Sequence, residues 1–459
     1  MARTVNLNMT QGPLLGKIIR FSVPLMLSGM LQLLYNAADV VVVGRFAGAA
    51  ALAAVGSTGA LVNLLVNLFM GVSVGCNVLV ARYYGARDYK AVSETVHCAV
   101  GSSLIIGLMA GIVGLLFSTP LLRLMGSPDD VLPLASLYLK IYFCGMPFNV
   151  AYNFGAAVLR AVGDTKRPLY ILSVAGVANV VLNLILVIVF HMGVAGVAVA
   201  TVASQIISAV LVMRVLTLRE DCCHLNRKEI RIYKDKLMDM IKVGLPAGIQ
   251  GSLFSLSNVI VQSSVNSFGS VVVAGNAAAA NIEGFVYIAM NAIYQAAITF
   301  VSQNLGAQKP KRILRVMGIC LGLVAAVGLV LGNFIYICNH SLLSIYASDE
   351  EGMLEAIIAV GRTRMSFVGR CYFFAGLMEV ACGGMRGLGR SWTSTIVSLV
   401  GACGVRVLWI FTVFRQIGTL NSLYVSYPIS WGTTFVVHMI CFTLAFRTIR
   451  KSLPAEAEE

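Results

Sequence analysis

A single carboxylate stands inside the first long apolar stretch of the chain. Asp39 lies in LQLLYNAADVVVVG, and Gln32, Tyr35 and Asn36 precede it by seven, four and three residues. In a helix this spacing places all four side chains on one face. A charged side chain at the centre of a bilayer costs roughly 2.5–3.5 kcal/mol on insertion scales. We therefore predict that Asp39 faces water, a partner or a cargo; the alternative is a structural acid held by a neighbouring helix.

The composition is that of an integral membrane protein. Of 459 residues, 58% are hydrophobic and 12% are charged, whereas soluble proteins carry about 25% charged residues. The mean hydropathy is +0.84. A membrane-spanning helix needs about 20 apolar residues, and such stretches recur from end to end. We predict an all-α fold with about twelve spans, near residues 20–44, 52–80, 91–118, 132–158, 168–190, 194–216, 238–266, 272–302, 313–337, 352–384, 392–413 and 424–446.

The net charge of +14 is distributed unevenly along the chain. Lys and Arg collect in alternate loops and above all in segment 214–242, whereas the intervening loops carry acids such as Asp129, Asp130 and the run Asp349, Glu350 and Glu351. Loops rich in Lys and Arg stay on the cytoplasmic side. We expect both termini in the cytoplasm and a first span that is retained rather than cleaved as a signal. The basic charge then determines topology, and no nucleic-acid partner is expected.

Nothing in the sequence predicts a metal site or an enzyme. The eleven cysteines are scattered, mostly within spans, where a thiol is a small apolar filler. Cys222, Cys223 and His224 form the one cluster, and no second cluster stands at ligand spacing. The five histidines are dispersed, and the chain has no HExxH, GxSxG or Walker pattern. We therefore expect no cofactor and place an intramembrane enzyme last among the alternatives.

The two halves of the chain repeat each other. Pro24 pairs with Pro246, and Gly85 pairs with Gly306, at spacings of 222 and 221 residues. Six spans per repeat is an even number, so both halves enter the membrane in the same orientation. Such parallel repeats imply two six-helix bundles related by a pseudo-two-fold axis along the membrane normal. We predict an N-terminal bundle over 1–220, a basic cytoplasmic linker over 221–236 that allows the bundles to move, and a C-terminal bundle over 237–459.

Several paired motifs resemble the multidrug and toxic compound extrusion (MATE) family. They are VARYYGARD (80–88) with FVSQNLGAQKPKR (300–312), LRAVGDT (159–165) with MRGLGRS (385–391), GVAGVAVAT (193–201) and SYPISW (426–431). The resemblance covers nearly the whole chain. It implies a twelve-helix bacterial inner-membrane antiporter that exports organic, often cationic, compounds in exchange for H⁺ or Na⁺.

The resemblance also implies a site for the coupling cation. In the DinF branch of the family, four residues form a cation-sensitive cluster, and they match Asp39, Asn179, Asn183 and Thr201 of this chain. The positions of Gln32 and Tyr35 lie beside that cluster. A helical rise of about 1.5 Å per residue brings these four to the outer half of the N-terminal bundle. That branch often carries a second acid where this chain has Asn183, so coupling in this bundle would depend on Asp39 alone. Interhelical hydrogen bonding is the alternative role for Asn179 and Asn183.

The C-terminal half has polar stripes of its own, one of which continues through Ser255 and Asn258 to Gln262. The acids of the family's NorM branch are missing, because Phe254 and Ala375 stand at their positions. Glu283 and Glu379 are the candidates to replace them, although Glu379 could instead bond to backbone near a helix end. Arg406, about 24 Å above Arg390, is too distant for an easy ion pair with Glu379. We predict a substrate cavity lined by Gln32, Tyr35, Asn36, Gln262, Glu283, Tyr287, Asn291 and Glu379.

We therefore expect a cation-coupled exporter of cationic or amphipathic compounds that works by alternating access. The resemblance assigns a hinge role to Pro24, with bending of the first helix linked to protonation of Asp39; a static kink is the alternative. A lipid-linked oligosaccharide flippase should have a cationic cavity and extra spans, whereas the inward residues here are expected to be acidic or neutral. A channel is harder to exclude from the sequence, although it would not need duplicated bundles joined by a flexible linker. The expected partners are a small-molecule substrate and the bilayer, and the protein is expected to be a monomer.

Overall fold

The computed structural model describes residues 7–125, 127–346 and 353–452. Within these ranges the chain is helical and contains no β-strand. The predicted acidic loop with Asp349, Glu350 and Glu351 lies outside the described residues. The α-helices are α1 (Leu14–Phe46), α2 (Ala49–Gly85), α3 (Tyr89–Leu124), α4 (Leu132–Cys144), α5 (Met146–Ala161), α6 (Lys166–Leu184), α7 (Gly193–Thr217), α8 (Lys234–Asn266), α9 (Ser270–Gly306), α10 (Pro310–Ile337), α11 (Asn339–Leu343), α12 (Leu354–Arg364), α13 (Tyr372–Gly387), α14 (Ser391–Ser398), α15 (Val405–Trp409), α16 (Arg415–Ile417) and α17 (Leu420–Ser452).

Wider π-helical turns interrupt several of these helices. They span Ile185–Val189 after α6, Met365–Gly369 after α12, and Leu399–Gly404 and Ile410–Phe414 on either side of α15. Such turns are rare in proteins and occur frequently at functional sites.

Nine helices of the described residues are long and apolar enough to cross a membrane. The number is ten if α12 and α13, which meet at a bend of 42°, form one span. Two predicted spans have no such helix. The span near 132–158 is divided at Gly145 into the shorter helices α4 and α5, and α8, in the span near 238–266, is long enough but less apolar than the nine. The all-α membrane fold of two repeated bundles is confirmed, while the total of twelve spans stays a prediction.

The chain divides into two compact units. The N-terminal unit contains the described residues up to Met9 and Val23–Ser252. In it α3 packs on α2, α4 and α5, and α7 packs on α4, α5 and α6. The first half of α8 belongs here because Gly71 and Gly75 of α2 leave no room for a Cβ against the α8 backbone at Gly244 and Met240. Small residues allow such close approach of helix backbones in membranes.

The C-terminal unit contains Thr10–Ser22 and the described residues from Leu253 onward. Here α13 packs on α9, α10 and α17, and α12 packs on α9. The start of α1 belongs to this unit because Phe21 packs edge-on against Phe300 with 5.6 Å between ring centroids. Packing, rather than position along the chain, therefore determines to which unit the start of α1 and the first half of α8 belong. The division predicted at 220 and 236 stays a prediction.

The basic segment after α7 is held on the N-terminal unit. Arg219 is buried and lies 3.5 Å from the Asp164 carboxylate, and it also bonds to Asp221. Further along, the backbone N–H of Asn226 donates to Nε2 of His97 over 3.0 Å. The first part of the predicted linker is therefore fastened to the bundle that precedes it.

Candidate functional site

Asp39 is hydrogen-bonded to an amide in the N-terminal unit. The side-chain NH₂ of Asn183 on α6 donates to Oδ1 of Asp39 on α1, and it also lies 3.5 Å from Oδ1 of Asn179. Asp39 is half-buried, and Asn183 and Asn179 are 1% and 5% exposed. In the described parts of the chain, no Lys, Arg or His nitrogen lies within 4 Å of the Asp39 carboxylate. The partner of this acid is thus neutral.

A cavity of about 330 Å³ lies beside this acid, and all its lining residues belong to the N-terminal unit. Asp39 is the one residue with a charged side chain among those described as lining it. Six predicted site residues line the cavity, namely Gln32, Tyr35, Asn36, Asp39, Asn179 and Thr201. Polar residues that the sequence analysis missed also line it: Asn149, Asn153, Ser204, Gln205 and Ser208.

Packing between α1 and α6 orients the polar face of α1. A Cβ at Gly176 would overlap the ring of Tyr35, so only a glycine lets this ring lie against α6. The Tyr35 hydroxyl donates to the carbonyl of Ser173 over 3.4 Å. Since Tyr35 precedes Asp39 by one helical turn, this contact holds the carboxylate on the side of α1 that faces Asn183.

The structure brings the predicted cation cluster together only in part. Asp39, Asn183 and Asn179 form a continuous series of contacts, whereas the hydroxyl of Thr201 donates to the carbonyl of Val197 on its own helix over 2.9 Å. Thr201 borders the same cavity. The cluster thus offers carboxylate, amide and hydroxyl oxygens around one space, which are groups that suit a hard cation or a proton.

Glu283 in the C-terminal unit has a permanent cationic partner. Nη2 of Arg364 lies 2.7 Å from Oε2 of Glu283, and Nε lies 3.2 Å from both carboxylate oxygens. Glu283 is 2% exposed and Arg364 is 7% exposed. Nη1 of Arg364 donates to Oδ1 of Asn276 over 2.8 Å, and Asn276 donates to Oε1 of Gln262 over 3.2 Å. Two predicted cavity residues, Glu283 and Gln262, therefore belong to one buried hydrogen-bonded network.

Among the described residues, Tyr287, Asn291 and Glu379 make no hydrogen bond to that network. The amide of Asn291 donates to the hydroxyl of Tyr287 over 3.5 Å, and Tyr287 is 42% exposed. Glu379 on α13 is half-buried and precedes Arg386 by seven residues on the same helix. The predicted roles of these residues in a substrate cavity stay predictions.

One expectation about this unit is wrong. The inward residues were expected to be acidic or neutral, yet Arg364, Arg386 and Arg406 are buried at 7%, 5% and 2% exposure. Arg364 lies inside the predicted span 352–384, so the rule that singled out Asp39 would have found it. The sequence does not single out its partner Asn276 in the same way, because burying a neutral amide in a membrane span costs less free energy than burying a charge, and amides are therefore common there. The charge pattern therefore does not separate an exporter from a flippase in this unit.

The family follows from a comparison of the whole sequence with known proteins. The sequence model of the MatE family matches residues 24–185 and again 246–412. The chain belongs to the MatE family. The two matched regions begin at Pro24 and Pro246, the pair that relates the two sequence repeats.

Two named bacterial proteins and one solved structure resemble this chain over most of its length. The probable multidrug resistance protein YoeA of Bacillus subtilis is 28% identical over 426 residues, 91% of each chain. The multidrug export protein MepA of Staphylococcus aureus is 22% identical over 422 residues, again 91% of each. A MOP superfamily transporter from Pyrococcus furiosus has the same fold, with a TM-score of 0.91, 21% identity, and 98% of this chain matched to 100% of the other.

No metal centre emerges from the structure. Within residues 7–125, 127–346 and 353–452, no group of three or more His, Cys, Asp or Glu side chains is placed to hold a metal ion. Cys222 and Cys223 are free thiols, one partly exposed and one buried.

Proposed function

We propose that this protein exports organic compounds, cationic or amphipathic in character, in exchange for H⁺ or Na⁺. One observation carries the proposal: Asp39 has no cationic partner in the described chain and borders a cavity of about 330 Å³ in which it is the one charged lining residue. Relatives named for multidrug resistance and multidrug export support an organic cargo. The protein acts as a monomer in a bacterial inner membrane, with both termini in the cytoplasm.

The cavity has the composition that an organic cation requires. Tyr35, Tyr142 and Tyr152 supply aromatic rings, and Met70 supplies an adaptable apolar wall. The negative charge of Asp39 supplies electrostatic attraction. A lipid-linked oligosaccharide is the less suitable cargo, because its phosphate groups would meet an acid in this cavity.

Asn183 can bond to Asp39 in both charge states. When Asp39 is ionised, the NH₂ group of Asn183 donates to it, as in the structure. Oδ1 of Asn183 is buried and has no hydrogen-bond partner. A rotated amide would offer this oxygen to the O–H of a protonated Asp39. Asn183 and Asp39 would therefore stay hydrogen-bonded after protonation, with Asp39 as the donor and Asn183 as the acceptor.

Neutralisation of Asp39 would alter the packing of α1. Between Ser22 and Val23, α1 passes from the C-terminal to the N-terminal unit, one residue before Pro24. Proline removes a backbone hydrogen bond and permits a bend, so Pro24 is the proposed hinge. One charge crossing 100 mV supplies about 2.3 kcal/mol, and full inversion of a two-state equilibrium needs about 5.5 kcal/mol. Cargo binding must contribute the remainder.

The test is efflux of ethidium from proteoliposomes under separately imposed pH and sodium gradients. We expect Asp39→Asn to abolish gradient-driven efflux, because the amide cannot exchange a charge. The control is Asp129→Asn, which changes an exposed acid and should leave the rate unchanged. Efflux by Asp39→Asn at the wild-type rate would contradict the proposal. Full transport driven by sodium alone would exclude proton coupling.

A further inference from the structure

The C-terminal unit buries an arginine that has no acidic partner. Arg406 on α15 is 2% exposed, and its Nη1 donates to Oδ1 of Asn258 over 3.3 Å. Its guanidinium lies 4.3 Å from the ring centroid of Tyr427 and 6.0 Å from that of Trp431. Nε is buried without any hydrogen-bond partner. No carboxylate of the described residues lies within 4 Å of it.

The surrounding charges do not compensate this cation. Arg364 lies 5.4 Å from the ring centroid of Tyr427, so two guanidinium groups contact one ring. The Glu283 carboxylate is already engaged by Nε and Nη2 of Arg364. Two cations and one anion leave an excess of one positive charge around Tyr427. Burial of an unpaired charge is expensive, and a contact with an aromatic ring offsets only part of the cost.

The helix around Arg406 is also unusual. The π-helical turns Leu399–Gly404 and Ile410–Phe414 enclose the five residues of α15. A third π-helical turn follows directly after Arg364. Both buried arginines near Tyr427 are therefore presented by irregular helices, as is common where helices serve binding rather than packing alone.

We propose that Arg406 binds the anionic group of an organic ligand, a carboxylate or sulfonate attached to an aromatic body. Nε and a terminal nitrogen of a guanidinium form a fork that matches two oxygens of such a group. Nε is unused, and Nη1 is engaged only by the amide of Asn258, whose side chain is exposed and can be displaced. Tyr427 and Trp431 are 9% and 6% exposed, and they would border the body of a ligand whose anionic group reaches Arg406. The anion would restore charge balance around Tyr427.

This site lies wholly on residues of the C-terminal unit and does not involve Asp39. Binding there needs no gradient; only its role as a second cargo site rests on the proposed export function.

Tryptophan fluorescence of the purified full-length protein gives a local test. The chain has three tryptophans. Trp431 lies against Arg406, and Trp409 follows Arg406 by three residues. The probes are 4-nitrobenzoate and the neutral, nearly isosteric 4-nitrobenzamide, both of which quench tryptophan. We expect the anion to bind the wild-type protein at least about tenfold more tightly, which corresponds to about 1.4 kcal/mol.

The variants then locate the effect. Arg406→Gln should remove the preference for the anion, and Arg406→Lys should keep part of it. The control is Arg370→Gln, because Arg370 is an exposed arginine 5.1 Å from the ring of Tyr336 in the same unit. This control and Asp39→Asn should both retain the preference, so failure of export and failure of this site are separate results.

Two outcomes overturn the inference. Equal affinity of the wild-type protein for the two probes would show that no anion site is present. An unchanged preference in Arg406→Gln would place the site elsewhere. If Arg406→Gln does not fold, the wild-type comparison with the two probes decides the question alone.

Discussion

Asp39 and Glu283 are two acids in the membrane part of one chain, and their surroundings differ in kind. Asp39 accepts a hydrogen bond from the neutral amide of Asn183, whereas Glu283 is paired bidentately with Arg364. At the spacing that relates Pro24 to Pro246, Val261 corresponds to Asp39 and Leu61 to Glu283. Both of these apolar residues are buried. The two repeats therefore keep a common fold while each has acquired its acid at a different place.

The comparison separates two uses of a buried carboxylate. A guanidinium stays charged under all ordinary conditions, so Arg364 supplies a full opposite charge to Glu283 and occupies both of its carboxylate oxygens. An amide donor supports the charge of Asp39 without cancelling it. The N-terminal acid is thus suited to a change of charge, and the C-terminal acid to holding α9 and α12 together.

The largest effect should follow from Glu283→Gln. Removal of one member of a buried ion pair costs about 3–5 kcal/mol, because Arg364 is left charged and unpaired. We expect a large loss of thermal stability, measured as Tm in detergent, which Glu283→Gln combined with Arg364→Met largely restores. Asp39→Asn should lower stability by less than about 1 kcal/mol, since an amide can still bond to Asn183. Similar losses of stability in Glu283→Gln and Asp39→Asn would contradict the proposed difference between a structural and a titratable acid.

A smaller effect should follow from Asn183→Leu, which removes the partner of Asp39. A hydrogen bond to an ionised group contributes about 1.5–3 kcal/mol and one between neutral groups about 0.5–1.5 kcal/mol, so the cost of losing Asn183 is greater while Asp39 is ionised. The loss of Tm relative to wild type should therefore be greater at pH 8 than at pH 5. Asn179→Leu is the control, because Asn179 does not bond to Asp39. A loss of Tm that does not change with pH would show that Asn183 acts only in packing.

The smallest effect should follow from Thr201→Val, which is nearly isosteric and removes one oxygen beside the cavity. We expect a loss of stability below about 1 kcal/mol, because the hydroxyl bonds only to its own helix. Transport driven by a sodium gradient should fall if this oxygen binds the ion, whereas transport driven by a pH gradient should not. Measurement of both rates in the same vesicles thus identifies the coupling ion. Equal reduction of the two rates would exclude Thr201 as an ion ligand.

Much of the candidate site in the N-terminal unit could be read from local spacing. Gln32, Tyr35, Asn36 and Asp39 lie within two turns of one helix, and helical periodicity alone places them on one face. Asn149 and Asn153 were missed, although they stand four residues apart in an apolar stretch. The position of α5 beside the cavity, which gives these amides their place, follows only from the packing of the bundle.

The sequence by itself determined the class of fold, the repeat and the acid within the first helix, because these depend on composition and on spacing along one segment. Only the tertiary structure decided which side chains meet. Asp39 and Asn183 are 144 residues apart, and Glu283 and Arg364 are 81 residues apart. Such pairs depend on how each helix is rotated and how deeply it sits against its neighbour. Those quantities follow from the packing of whole helices, such as Tyr35 against Gly176, and they decide whether a buried acid is free to change its charge.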